Sequence, residues 1–418
     1  MERSKIMILK SNRDKILTFL IYLILLGYCK FFYIIPLQHT IFTNIPANIL
    51  LSSSIAVFSF IVLWIIEKQI FLGNFSKEIC LLFLILFINS IYMLAAYHYD
   101  IKKVLWADAI FLVLLGYFPF VTYIKNNSLK SLILIIESIT IILSIILLLQ
   151  FFIFQFTHIL FLNINVFSIS GNRFRGPGDG LLRVSILLSA YKVIEEKTLD
   201  LKSISNFLLG MGVVIIMDQS RMYLLSLLIS VTVMLFVSYG RNILKNKSVM
   251  VIVFGIISLI IVGYLFVSLK NTLSNAHDGS NYARQGALIY YLHALSNPWW
   301  RWLTGLGIVE PKPFELAFRI IHGPKGIYYY SDIGIIGTLA SLGIFGVIWT
   351  FWVGVKGFVI ASYSKNFRPL YYGLMVEMTF SWLTSMSYFN DIRLITLTLV
   401  LSIIGFKSRE KKVWKLPI

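Results

Sequence analysis

The sequence predicts an all-α polytopic membrane protein: a single integral membrane domain over residues 1–418, with about twelve transmembrane helices and two longer outer loops. Three observations carry that prediction. Apolar residues make up 58% of the chain and charged residues only 13%, with a mean hydropathy of +0.82, whereas soluble domains are about half apolar and about a quarter charged. The apolar residues lie in long runs, not in helical or alternating stripes. The cations, finally, are unevenly divided among the connections between those runs. Together these exclude a soluble enzyme, a disordered protein and a disulfide scaffold.

The start, Met1 to Lys15, is basic. The apolar stretch after it is long enough to span and lacks a small-residue cleavage site, so it reads as a permanent anchor with a cytoplasmic N-terminus. A span needs about 20 mostly apolar residues. The candidates are 16–36, 47–66, 78–97, 104–124, 131–156, 179–194, 203–218, 221–239, 249–269, 331–351, 370–389 and 390–406. The long connections are the outer loop 157–178 and the large outer loop 270–330. Cys29 and Cys80 fall inside apolar runs and read as small buried hydrophobes.

An even number of spans puts both termini in the cytoplasm. Of the 37 Lys and Arg residues, 23 then lie in cytoplasmic segments, among them Lys192, Lys202 and Arg241. That is the bias the positive-inside rule demands, and it accounts for most of the net charge of +18 without a nucleic-acid partner. Residue type divides the cations further. The cytoplasmic set holds 18 Lys and 5 Arg, whereas the outer or embedded set holds 6 Lys and 8 Arg. Lysine suffices as a topology signal, while arginine suits bidentate phosphate or carboxylate binding. The arginine excess therefore predicts an anionic ligand at the outer face.

Four segments concentrate the candidate chemistry. The first runs from Ser170 to Gly180 and sets Arg173 and Arg175 among four glycines, a backbone that can bring N–H groups close to an anion. The same pattern also fits a re-entry turn with two solvated charges. Next, Asp218-Gln219-Ser220-Arg221 is a tight turn in which Asp218 can pair with Arg221. In the large loop, Arg284 precedes Leu288, Tyr291, Leu292 and Leu295, spaced as on an amphipathic surface helix. Trp299, Trp300, Arg301 and Trp302 follow, then Arg319 and His322; these aromatics suit either sugar stacking or an interfacial belt. The fourth is Ser331-Asp332, at the entry of a span carrying Gly343 and Gly346. Asp332 there is either a capping charge or a base for a hydroxyl group. Asp108, Glu137 and Glu377 are ionisable groups on apolar helices, where pairing with Arg183 or Arg221 is one role and a proton relay another.

No Gly-x4-Gly-Lys-Ser/Thr, His-Glu-x-x-His or Asp-x-Asp pattern occurs. Any chemistry is therefore expected to use neither metal nor cofactor.

The pattern Arg284, Asn297-Pro298, Gly305-Leu306-Gly307, Ser331-Asp332 and Gly343-Ile344-Phe345-Gly346, with the outer arginine loop, resembles the bacterial O-antigen polymerase and ligase superfamily. The ligase branch carries a histidine where this chain has Asp332, so the resemblance favours a polymerase. It implies transfer of a glycan from undecaprenyl pyrophosphate to a lipid-linked repeat unit at the outer face of the inner membrane. In that reading Arg173, Arg175, Arg221, Arg284, Arg301 and Arg319 are the candidate pyrophosphate contacts. Asp332 is the first candidate base and His322 the second. The expected partners are the lipid-linked oligosaccharide, membrane lipid and a chain-length regulator protein. A ligase acting on lipid A–core is the alternative within the class, and a lipid-linked oligosaccharide flippase the alternative outside it.

Overall fold

The computed structural model describes residues 2–31, 45–67, 73–162, 168–170, 173–196, 200–243, 279–308, 320–324, 326–384 and 391–406. The chain is an all-α protein built for a membrane: among the described residues, five helices are long and apolar enough to cross one, and shorter apolar helices accompany them. The expected span 249–269 lies outside the described residues.

Helix α1 (Glu2–Tyr28) starts earlier than its apolar run, because the basic segment continues the same helix. It is followed by α2 (Ile45–Ile66) and α3 (Ser76–Tyr97). The expected span at 104–124 is built from three pieces: α4 (Ile101–Asp108), a 3-10 segment (Ala109–Gly116) and α5 (Tyr117–Asn126). Then come α6 (Leu129–Thr157), α7 (Asp179–Glu196) and α8 (Leu201–Gly212), the last ending in a π-helical turn (Val213–Asp218). Helix α9 (Arg221–Ile243) precedes α10 (Gly279–Ser296) and the single turn α11 (Arg301–Thr304). The chain closes with α12 (Gly334–Tyr363), α13 (Arg368–Thr384) and α14 (Asp391–Gly405). Two small antiparallel hairpins decorate the loops: β1 (Ser168–Ser170) with β2 (Arg173–Arg175), and β3 (His322–Gly323) with β4 (Gly326–Ile327).

Helices α7 and α13 run antiparallel, and their polar ends show it. Arg183 meets Glu377 at one end of the α7–α13 pair, while the Tyr191 hydroxyl donates to the Asn366 carbonyl at the other (3.0 Å). We call these the arginine end and the lysine end. At the lysine end Lys356 pairs with Glu78, and Lys192 lies 3.0 Å from both Glu137 and Asp200. The Lys192 ammonium holds the Asp200 carboxyl below the usual carboxylate range. Glu137, fully buried, also accepts from Ser189 (2.9 Å) and Ser203 (2.8 Å). The seam continues between α6, α7 and α8: Asn206 donates to Ser185 and Ser189, and Thr140 donates to Asn206. A low-dielectric interior tolerates polar atoms only when they are paired in this way.

Helix α12 is broken. Gly343 takes φ 67° and ψ −164°, and the turn after α11 is seated against the break. Leu306 and Gly307 donate their N–H groups to the Ala340 and Ser341 carbonyls (2.6 and 3.2 Å), which a continuous helix would have satisfied itself. The Asn89 amide of α3 donates to the Thr304 carbonyl at 2.6 Å and the Ser341 carbonyl at 3.4 Å. Gly305, at φ 75°, lets the two backbones touch; a Cβ there would stand 2.6 Å from the Ser341 oxygen. The glycines at 305 and 343 therefore mark one backbone crossing.

Cys29 is buried as expected, but Cys80 is exposed, on the same apolar outer face of α3 as Leu84 and Phe87. The expected amphipathic helix exists as α10, yet the face differs. Ala287, Tyr291 and Leu295 point inward to Tyr328 and Tyr330, leaving Leu288 and Ile289 outward.

Gly305→Ala and Gly343→Ala should each cost about 1–3 kcal/mol from backbone strain alone. Thermal unfolding in detergent should show both as a lowered Tm. Gly354→Ala, where a Cβ meets nothing within 4 Å, should leave it unchanged or raised.

Candidate functional site

The arginine end gathers its ionisable groups where four segments meet. Helix α7 begins at Asp179, and one turn later Arg183 lies on the same face, the usual i,i+4 geometry. Arg183 is only 4% exposed, an arrangement that stands only if its charge is met. It bonds Asp179 at 2.9 Å, lies 3.7 Å from Glu377 of α13, and stacks 3.6 Å above the Tyr223 ring of α9. Glu377, 2% exposed, also accepts from Ser381 at 3.0 Å. Tyr223 turns its hydroxyl to the Asp179 carbonyl (3.4 Å).

Beside this group lies a second, more open pair. Arg175 ends strand β2, and its guanidinium is 3.2 Å from Asp218, the last residue of the π turn. Such turns shift one residue out of helical register and recur at functional sites. The Arg175 side chain is 57% exposed and that of Asp218 13%. The described side chains thus comprise three carboxylates (Asp179, Asp218 and Glu377) facing Arg175 and Arg183.

Of the predicted site residues, Arg175 is in this cluster. The backbones of Arg173 and Arg221 belong to β2 and to the first position of α9, at the same end. Asp218 pairs with Arg175; the Arg221 side chain, its expected partner, lies outside the described residues. Arg284 is half-buried in α10. Arg301 donates to the Ala294 and Asn297 carbonyls (3.1 and 2.7 Å), so it caps the C-terminus of α10. Arg319 lies outside the described residues. Asp332 is exposed in a short 3-10 turn before α12, where Ile333, not Asp332, is the N-cap residue. His322 is exposed in β3 opposite Ile327. Helices α12 and α13 bring this region to the arginine end: the Trp382 indole donates to Thr338 at 3.2 Å.

Asp179 and Tyr223 were not predicted as site residues, whereas Glu377 was singled out as a partner for Arg183 or Arg221 or as part of a proton relay. The i,i+4 spacing of Asp179 and Arg183 was a readable signal. Nothing local announced Tyr223, which looks like any aromatic on an apolar helix. Of the embedded carboxylates, Glu377 meets Arg183, Glu137 meets Lys192, and Asp108 accepts from Ser90.

Chemically, the two arginines differ. Arg183 is consumed by its carboxylates and holds α7, α9 and α13 together. Arg175 is exposed enough to exchange Asp218 for an anionic ligand, which would free a carboxylate beside that ligand. Among the described residues no group of three His, Cys, Asp or Glu side chains is placed to hold a metal ion. No protein-family model matches the chain, and no curated protein matches it either.

Arg183→Ala strands Glu377 as an uncompensated buried charge and should destabilise the protein by about 3–5 kcal/mol. Replacing both, Arg183→Met with Glu377→Met, should recover part of that loss. The check is a double-mutant comparison of Tm in detergent; additive losses would mean the two residues are not coupled.

Proposed function

We propose that this protein is a polysaccharide polymerase of the O-antigen type, acting on undecaprenyl-pyrophosphate-linked oligosaccharides at the outer face of the bacterial inner membrane. It crosses the membrane about twelve times, with both termini cytoplasmic. The observation that carries the reading is the exposed Arg175–Asp218 pair beside the buried Arg183 cluster. It sets a replaceable cation and a carboxylate side by side at a bundle end that also holds the backbones of Arg173 and Arg221.

In the proposed step an acceptor hydroxyl attacks the anomeric carbon of the donor glycan. The new C–O bond forms as the bond to pyrophosphate breaks, and pyrophosphate leaves with the electron pair. The hydroxyl proton passes to a carboxylate within hydrogen-bond reach. Fixed cations stabilise the leaving group as its charge develops. Arg175 suits the second task and Arg284 remains a candidate for it; Arg301, tied to two carbonyls, suits it less. Asp218 joins Asp332 and His322 as a candidate proton acceptor.

A second reading, a transporter of the same lipid-linked sugar, is favoured by the broken helix α12, since discontinuous membrane helices often line transport sites. The ligase reading gains no separate observation.

Arg175→Ala should shorten the glycan ladder on a gel, with the polymerisation rate falling roughly 10²-fold, while the protein still inserts. Deleting the gene separates the classes. A single repeat unit on the core supports the polymerase, whereas complete loss of repeats supports a ligase or transporter. Normal ladders from Arg175→Ala would remove Arg175 from the reaction.

A further inference from the structure

We infer that residues 297–308 form a re-entrant loop whose outer surface, carried by Trp299 and Leu303, contacts the acyl chains of the bilayer.

Depth comes first. The loop is fixed where α12 breaks, at Ala340 and Ser341, and Asn89 of α3 fastens it from the other side. Both helices are apolar enough to span. At 1.5 Å per residue, Ser341 lies roughly 10 Å into α12 from Gly334, and Asn89 roughly 20 Å along α3 from Ser76. Non-helical backbone at that depth persists only where its polar groups are satisfied by protein or by a water-filled cavity. Here protein satisfies them: two N–H groups of the loop meet the two freed carbonyls, and the 3%-exposed Asn89 amide bonds one carbonyl on each side of the crossing.

The surface then identifies the occupant. Trp300 turns back onto the Tyr92 ring of α3, edge to face at 5.0 Å, and Trp302 packs inward. Trp299 and Leu303 point outward, 71% and 41% exposed. The neighbouring outward residues are Ile88 and Ile91 on α3 and Ile344 and Phe345 on α12, all exposed and all apolar. The loop therefore continues the apolar outer faces of two candidate spans without a polar interruption at those positions. A bilayer is the partner that covers such a surface on both helices at once, and tryptophan suits its upper region.

The test uses single cysteines at Trp299→Cys and Leu303→Cys in full-length protein carrying Cys29→Ala and Cys80→Ala. Pro324→Cys, in the exposed turn between β3 and β4, serves as reference. In reconstituted bilayers, a membrane-impermeant maleimide should modify positions 299 and 303 at least about tenfold more slowly than position 324. Nitroxide labels at 299 and 303 should collide more with oxygen than with a water-soluble nickel chelate. Labelling as fast as at 324 would overturn the proposal, since the loop would then face water. Low collision with both agents would overturn it as well, because another protein surface would be covering the patch. Two positions guard against a variant that misfolds, and labelling after denaturation confirms that each thiol is present.

Discussion

A bilayer offers polar atoms no water, so each one placed at depth must find its partner within the protein. That constraint organises the described structure. Arg183 is bracketed by Asp179, Glu377 and the face of Tyr223. Glu137 is closed by Lys192, Ser189 and Ser203. The broken backbone of α12 is closed by the loop behind Gly305 and by Asn89. Each closure ties together elements far apart in sequence, so satisfying the polar groups also assembles the bundle.

Helix α7 shows the consequence most plainly. It carries Asp179 and Arg183 at one end, Lys192 at the other, and Ser185 and Ser189 between, and it is buried along most of its length. Its polar residues would be costly on a helix facing lipid. Surrounded by α6, α8, α9, α13 and α14, they become the contacts that fix its neighbours. A helix anchored at both ends by ion pairs is a stiff support for the β2 hairpin and the π turn that carry Arg175 and Asp218. Precise placement of charged groups needs such support, because loops alone hold geometry poorly.

Much of this was legible in the sequence. The helical membrane character follows from the length of the apolar runs, which only helices with internally satisfied backbones can exploit. The segment around Arg173 and Arg175 stood out in the sequence for its glycines, and Arg175 is the residue of it that pairs with Asp218. The break in α12 was not. Gly343 and Gly346 have the spacing of ordinary packing glycines, and the backbone that meets Gly343 comes from residues 303–305. The contact of Asp218 with Arg175 was not foreseen, because it joins segments far apart in sequence that the hairpin brings within 3.2 Å. The pairing of Arg183 with Glu377 was foreseeable only as one option, since sequence lists the charges on helices but not which faces meet.

Residue type alone made all the outer arginines look equivalent, and surroundings separate them. Arg183 is buried and spent on carboxylates, so an anion could reach it only by dismantling the contacts that hold three helices. Arg301 is spent on the carbonyls that end α10. Arg175 is the one described in an ion pair with more than half of its side chain still open. An ion pair at such exposure contributes little stability, so exchanging Asp218 for a ligand phosphate costs little. The same guanidinium chemistry that makes Arg183 a fastening therefore makes Arg175 a contact that can be traded, and burial decides between the two.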